Sequence, residues 1–318
     1  MASVKRHMFR KIIVLIFVIE IGRRAKNLTM VIQSKIMSDV TSTSEITHNV
    51  TVVTAFFDIG TVKRVRNNVR NPSEYFKWAE AYRYMRNALV VYTDSEPFRN
   101  HITEIRSDLS QLTKILIVNM STLWSFQNLK KVTEIYNLKS FPKRYPNTSP
   151  LYTCVTHAKF DLIVKTAQDN IFKTKYFMWL DLGYFRYRES HNIFHLSKPK
   201  YFNDSKIAMN VVNDTDNSIS PSTIVRTCRR HIGGGLFYGE KTCVILLAED
   251  FKRAIRYFLS RNIINTDEQI LYAMFSKMGR QILEPNVELQ LYRRAKEKTS
   301  KWYYLGYSMI TEENVTHY

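Results

Sequence analysis

Cysteine is scarce: Cys154, Cys228 and Cys243 are the three thiols of 318 residues. That excludes a disulfide-dense scaffold and leaves room for one disulfide and one free thiol. No Cys/His set has zinc-ligand spacing, and Cys154 falls in an expected helix, where it reads as a small buried hydrophobe. No Gly-Lys-Ser/Thr follows the glycine run Gly233–Gly235, so it is not a phosphate P-loop. There is no zinc-finger spacing, no RNP-like run and no basic heptad region, and nucleic acid is not expected as a partner. No internal repeat is present. The N-terminal apolar run Ile12–Ile19 has eight residues, short of the roughly 20 that a membrane-crossing helix needs.

What is present supports a folded body. Apolar residues make up 45% and aromatics 13% of the chain, enough for one large domain or two small ones. The net charge is +19, and residues 1–30 hold seven Lys/Arg against one Glu. Elsewhere the excess is dispersed without a block of five like charges, which reads either as a basic surface or as attraction to an anionic substrate such as a diphosphate or acidic glycan. A basic flank followed by Ile12–Ile19 reads as a signal peptide or short membrane anchor over residues 1–22, with association to a membrane through the N-terminus. Residues 23–47 are polar and rich in Ser/Thr, and read as a stem or linker. Seven Asn-x-Ser/Thr sequons, at Asn27, Asn49, Asn119, Asn147, Asn203, Asn213 and Asn314, agree with a luminal route. The expected location is therefore the secretory lumen (Golgi or ER), anchored or secreted.

From residue 48 the pattern changes. Short β-branched and aromatic runs alternate with helical spacing. Asn49–Gly60, Ala88–Asp94, Thr113–Val118, Lys175–Asp181, Lys206–Val212 and His231–Gly239 read as strands. Leu151–Phe172, Cys243–Leu259 and Thr266–Met278 read as helices, the last with a Thr266/Gln269 capping box. A short helix is expected around Ile102–Leu109, after a stop at Ser95-Glu96-Pro97. The alternation implies an α/β fold: a mixed, mostly parallel central sheet with flanking helices. In such sheets ligands bind beyond the carboxyl ends of the strands, and Asp58, Asp94 and Asp181 all end strands.

Each candidate has two readings. Asp181-Leu182-Gly183 closes FMWLDLG; the acid suits a hard cation beside a diphosphate, or ends a strand in a turn. Asp58-Ile59-Gly60 repeats the pattern, as a ribose or base grip or as an Asx turn. Thr93-Asp94 offers a similar polar tip. Lys159 reaches toward a phosphate or is solvated. His231 with Gly233, Gly234 and Gly235 reads as a loop beside a ligand or as ordinary backbone. Thr266-Asp267-Glu268-Gln269 is a capped helix start, or places Asp267 toward an acceptor.

Taken together, TVVTAFFDIG, LVVYTD, HAKFDLIVK, FMWLDLGYFR, GGGLFYG and TDEQILYAMF resemble the HtrL/YibB family, whose blocks occur in the same order. The resemblance covers roughly residues 50–285, and the layout is similar to a GT-A (nucleotide-diphospho-sugar transferase-like) glycosyltransferase. It implies a domain over residues 48–290 with a C-terminal extension over 291–318. It implies transfer of a sugar from a nucleotide-sugar donor to a glycan or glycoprotein acceptor. Asp181 would take the metal, Mn²⁺ or Mg²⁺. Thr54, Phe56, Asp58, Asp94, Lys159, Gly183 and Gly234 would line the donor side, and Asp267, Gln269 and His231 would be the catalytic set. The second acid of an Asp-x-Asp pair is Gly183 here, so the alternative is a catalytically inactive glycan- or nucleotide-binding module of the same fold.

Overall fold

The computed structural model describes residues 49–63, 69–142, 149–294 and 300–312. The segments read as anchor and stem lie outside these, as do Asn27, Asn147 and Asn314. Among the described residues no helix is long and apolar enough to cross a membrane.

Seven strands make one sheet: β1 (Val50–Phe56), β2 (Ala88–Thr93), β3 (Thr113–Ile117), β4 (Tyr176–Leu180), β5 (Lys206–Val211), β6 (Ile232–Glu240) and β7 (Glu288–Tyr292). Their order across the sheet is β7-β5-β6-β4-β1-β2-β3. The pairs are parallel except the two that β6 makes, antiparallel to β4 and to β5. This is the mixed, mostly parallel sheet that the sequence implies. The sequence reading omits β7; its alternating Glu-Leu-Gln-Leu-Tyr is the pattern of a half-covered edge strand.

Helices flank the sheet, among them α1 (Pro72–Ala79), α2 (Glu96–Ile105), α3 (Pro150–Asp169), α4 (Lys241–Leu259) and α5 (Asp267–Phe275). The inner strands read as continuous apolar runs because both sheet faces are covered. In β1, Val53 packs with α3, α4 and α5, whereas Val52 and Phe56 pack with α1 and α2 on the other face. Phe160 of α3 stacks between Phe237 of β6 (5.4 Å) and Phe251 of α4 (3.7 Å). Each such buried ring contributes about 1.5–3 kcal/mol.

Three local expectations change. Ser95-Glu96-Pro97 starts a helix and does not merely stop a strand: Ser95 Oγ accepts from Phe98 N–H and Pro97 sits in the first turn, where its missing N–H costs nothing. The Thr266/Gln269 box does not close, because Thr266 Oγ1 donates to Gln269 Oε1 and leaves the backbone uncapped by its side chain. That helix also ends at Phe275; Ser276 caps a new turn by accepting from Gly279 N–H. Gly233, Gly234 and Gly235 are not a loop but part of β6. All three cysteines are free thiols, and Cys154 is buried in α3.

Candidate functional site

The chain runs from β1 outward to β2 and β3, then returns to place β4 on the other side of β1. At that switch point the carboxyl ends of β1 and β4 diverge from their connections and leave a crevice. A cavity of about 420 Å³ opens there. Ala55 reaches it from β1 and Phe57 from the residue after it, Trp179 from β4 and Asp181 from the residue after it, and Gly235 from β6. Trp78 comes from α1, Lys159 from α3, Asp267 and Glu268 from the first turn of α5, and Trp302 and Tyr303 from the segment read as a C-terminal extension.

Lys159 organises the floor. Its ammonium donates to Asp267 Oδ2 (2.8 Å), to the Gly234 carbonyl (2.8 Å) and to Asp181 Oδ1 (3.2 Å), so its three N–H bonds are all engaged. The Lys159 and Asp267 side chains are only 4% and 5% exposed, while Asp181 is 47% exposed. Burial would drive Lys159 toward its neutral form; the charges of Asp181 and Asp267 outweigh it and hold the ammonium above its ordinary value. Trp179 and Asp181 lie on one strand face, two residues apart, and Trp179 Nε1 donates to Asp181 Oδ1 at 2.7 Å. Oδ1 is thus fixed, which leaves Oδ2 for a ligand.

The glycines permit this approach. A Cβ on Gly234 would stand 2.1 Å from Asp267 Oδ2, and one on Gly235 would stand 3.5 Å from Asp181 Oδ2 and 3.3 Å from the Tyr184 ring. Any side chain at 234 would push Asp267 off Lys159.

Beside this triad, Glu268 pairs with Arg230 (Oε2 to Nε, 3.1 Å). Burial, then the charge of Asp267, push the Glu268 carboxyl up to about 7, against the opposing pull of Arg230 and Lys159. Asp267 is likewise raised, by burial first and by Asp181, with Lys159 opposing. On the far wall the Arg186 guanidinium lies 4.6 Å and the Arg70 guanidinium 5.2 Å from the centre of the Trp78 ring.

Of the residues singled out from sequence, Asp181, Lys159, Gly183 and Asp267 line the cavity, and Gly234 underlies it through its carbonyl. The others do not meet there. Thr54 and Phe56 have the wrong strand parity: Phe56 packs 4.5 Å from Phe98 on the opposite face, Thr54 is fully buried, and it is Ala55 and Phe57 that face the cavity. Asp58 makes the Asx turn, its Oδ1 accepting from Gly60 N–H (3.0 Å) where Gly60 has φ 69°, and its own N–H donates to Asp94 Oδ1 at 2.9 Å. Gln269 is fully buried against Thr266. His231 is buried with Nδ1 2.6 Å from the Asn213 carbonyl and its ring beside Tyr272, and burial lowers its pKa.

The sequence reading missed Glu268, Arg230, Arg186, Arg70 and Trp78. Arg186 lies inside FMWLDLGYFR and Glu268 beside Asp267, so position was available but direction was not.

The donor set does not suit Mn²⁺ or Mg²⁺. A hard cation in such a site takes one or two carboxylates plus substrate phosphates, and here Asp181 and Asp267 already share an ammonium that a divalent ion would meet directly, which leaves Asp181 Oδ2 as its one open carboxylate oxygen on the floor. Among the described residues no three His, Cys, Asp or Glu side chains gather as a metal site.

The family described as "Bacterial protein of unknown function (HtrL_YibB)" matches residues 48–283. No curated protein matches the chain by sequence. Solved structures with a similar outline include one described as a transferase mutant, 11% identical, over 76% of this chain and 86% of that one, at a TM-score of 0.35. Another is the 4-diphosphocytidyl-2C-methyl-D-erythritol synthase of Anaerococcus prevotii, 10% identical, over 81% and 96%, at a TM-score of 0.32. Likeness of that degree says nothing of chemistry.

Proposed function

The chain belongs to the HtrL_YibB family, and from that premise and its site we propose that it transfers a sugar from a nucleotide-sugar donor to a hydroxyl of a glycan or glycoprotein acceptor. The observation that carries this is a cavity of about 420 Å³ at the switch point of a mostly parallel sheet, where aromatic rings, guanidinium groups and carboxylates converge. Aromatic and apolar walls suit a base or sugar face, guanidinium groups suit phosphate oxygens, and acids suit sugar hydroxyls.

Roles follow from exposure. Asp181, anchored through Oδ1, presents Oδ2 to a donor-sugar hydroxyl. Lys159 and Asp267 hold that floor in place. Glu268, with a carboxyl near 7, takes the proton of the acceptor hydroxyl as its oxygen bonds the anomeric carbon. The bond from that carbon to the diphosphate oxygen breaks, and the nucleoside diphosphate leaves with the electron pair.

The test is a thermal-shift and turnover screen of the full chain with UDP-, GDP- and ADP-sugars. One donor class should raise Tm and be hydrolysed or transferred, and Asp181→Ala should abolish turnover without unfolding the protein. Donor binding without turnover across a broad acceptor panel supports the binding-module alternative. Absence of any donor effect refutes both.

A further inference from the structure

Gly183 stands where an Asp-x-Asp pair would have its second acid, and its neighbourhood explains why no acid is there. A Cβ at 183 would lie 2.6 Å from Trp78 Cε3, inside contact distance of a ring that cannot swing away cheaply. Gly183 is not at positive φ, so the glycine serves the approach of Trp78 and not a turn. Trp78, held at 4.9 Å from Tyr75, carries two guanidinium groups, Arg186 at 4.6 Å and Arg70 at 5.2 Å from its ring centre. Arg186 also lies 5.3 Å from the Tyr303 ring. Among the described residues neither arginine has an acid at ion-pair distance, and the buried Nε of Arg186 has no hydrogen-bond partner.

Two like charges held against one ring without an acid raise the local potential and leave planar donors facing the cavity. On the floor a buried ammonium is tied up by Asp181 and Asp267, and two arginines stand on the wall beside Gly183.

We propose that Arg70 and Arg186, backed by Trp78, form a diphosphate subsite that binds its anion directly, without a divalent cation. The inference deepens the nucleotide-sugar reading and rests on it for the identity of the leaving group. The guanidinium forks supply the charge neutralisation that a metal would supply, and they match phosphate oxygens two at a time.

The test is calorimetric titration of the full chain with inorganic pyrophosphate, in EDTA and in Mn²⁺. Pyrophosphate should bind in EDTA, Mn²⁺ should not be required, and Arg186→Ala should weaken binding about tenfold or more. Arg70→Ala should do the same, and a melting curve for each variant separates lost binding from lost fold. Binding only with Mn²⁺, no binding in either buffer, or full affinity in both arginine variants would overturn the proposal. If pyrophosphate binds without metal but no nucleotide sugar binds or turns over, the subsite stands and the glycosyl-transfer reading fails.

Discussion

Lys159→Met is the sharpest test of the site's construction. Methionine keeps the stem's bulk and removes the ammonium. Asp267, 5% exposed, then loses its charge partner, while Asp181, 47% exposed, can turn to water. One uncompensated buried carboxylate costs about 3–5 kcal/mol. At about 2–4 °C per kcal/mol for a domain of this size, Tm should fall roughly 6–20 °C. The pH dependence has a definite sign. Asp267 already has a folded pKa above its unfolded one, so its folded form favours the proton; its stability is greatest below the unfolded value and is lost as pH rises through the folded value. Both effects of Lys159 lower that carboxyl, so their removal raises it further. The deficit of the variant against wild type should therefore be larger at an alkaline pH than at an acid one, where Asp267 binds its proton. Adding Asp267→Leu should recover most of the loss, because an apolar replacement removes the stranded charge. Differential scanning calorimetry at both pH values decides the matter. A Tm within about 2 °C of wild type, or a deficit that does not change with pH, refutes the reasoning.

Glu268→Gln should lower kcat by about 10²–10⁴, and wild-type turnover should fall as pH drops below about 7, because a base must be deprotonated to act; a profile flat across that range removes Glu268 from the reaction. Gly183→Asp should destabilise the chain by about 1–3 kcal/mol in denaturant titration, since Trp78 must move, and should not create a response to Mn²⁺. Wild-type stability in that variant would show that Trp78 does not hold the position. His231→Ala should cost about 0.5–1.5 kcal/mol through the lost hydrogen bond to the Asn213 carbonyl and leave kcat unchanged, which kinetics at a temperature well below Tm will check.

How much of this was legible follows from range. YFMWL reads as a buried strand because five consecutive apolar or aromatic residues need both faces covered, and the structure gives Tyr176–Leu180 between β1 and β6. The long helix before it has its Ser149 cap and Pro150 in the first turn, both local signals. The resemblance implies Thr54 and Phe56, whereas Ala55 and Phe57 face the cavity: parity along a strand is visible in sequence, but which parity faces a cavity is not. The resemblance likewise implies Asp267, and Glu268 beside it pairs with Arg230: adjacent acids in a first turn differ in direction only once the helix is docked.

The sequence by itself determined the alternation of strands and helices, the acids at strand ends, the family and the departure at Gly183. These rest on interactions within a few residues, or on the order of short blocks along one chain. Only the tertiary structure decided that β6 runs backwards between β4 and β5, which brings Gly234 and Gly235 to the same sheet edge as Asp181. Only it placed Lys159 between Asp181 and Asp267, an arrangement whose energy depends on burial and on distances between segments far apart in sequence. Gly183 shows the division most clearly: the sequence marks a missing acid, and the packed Trp78 ring with its two arginines supplies the physical reason.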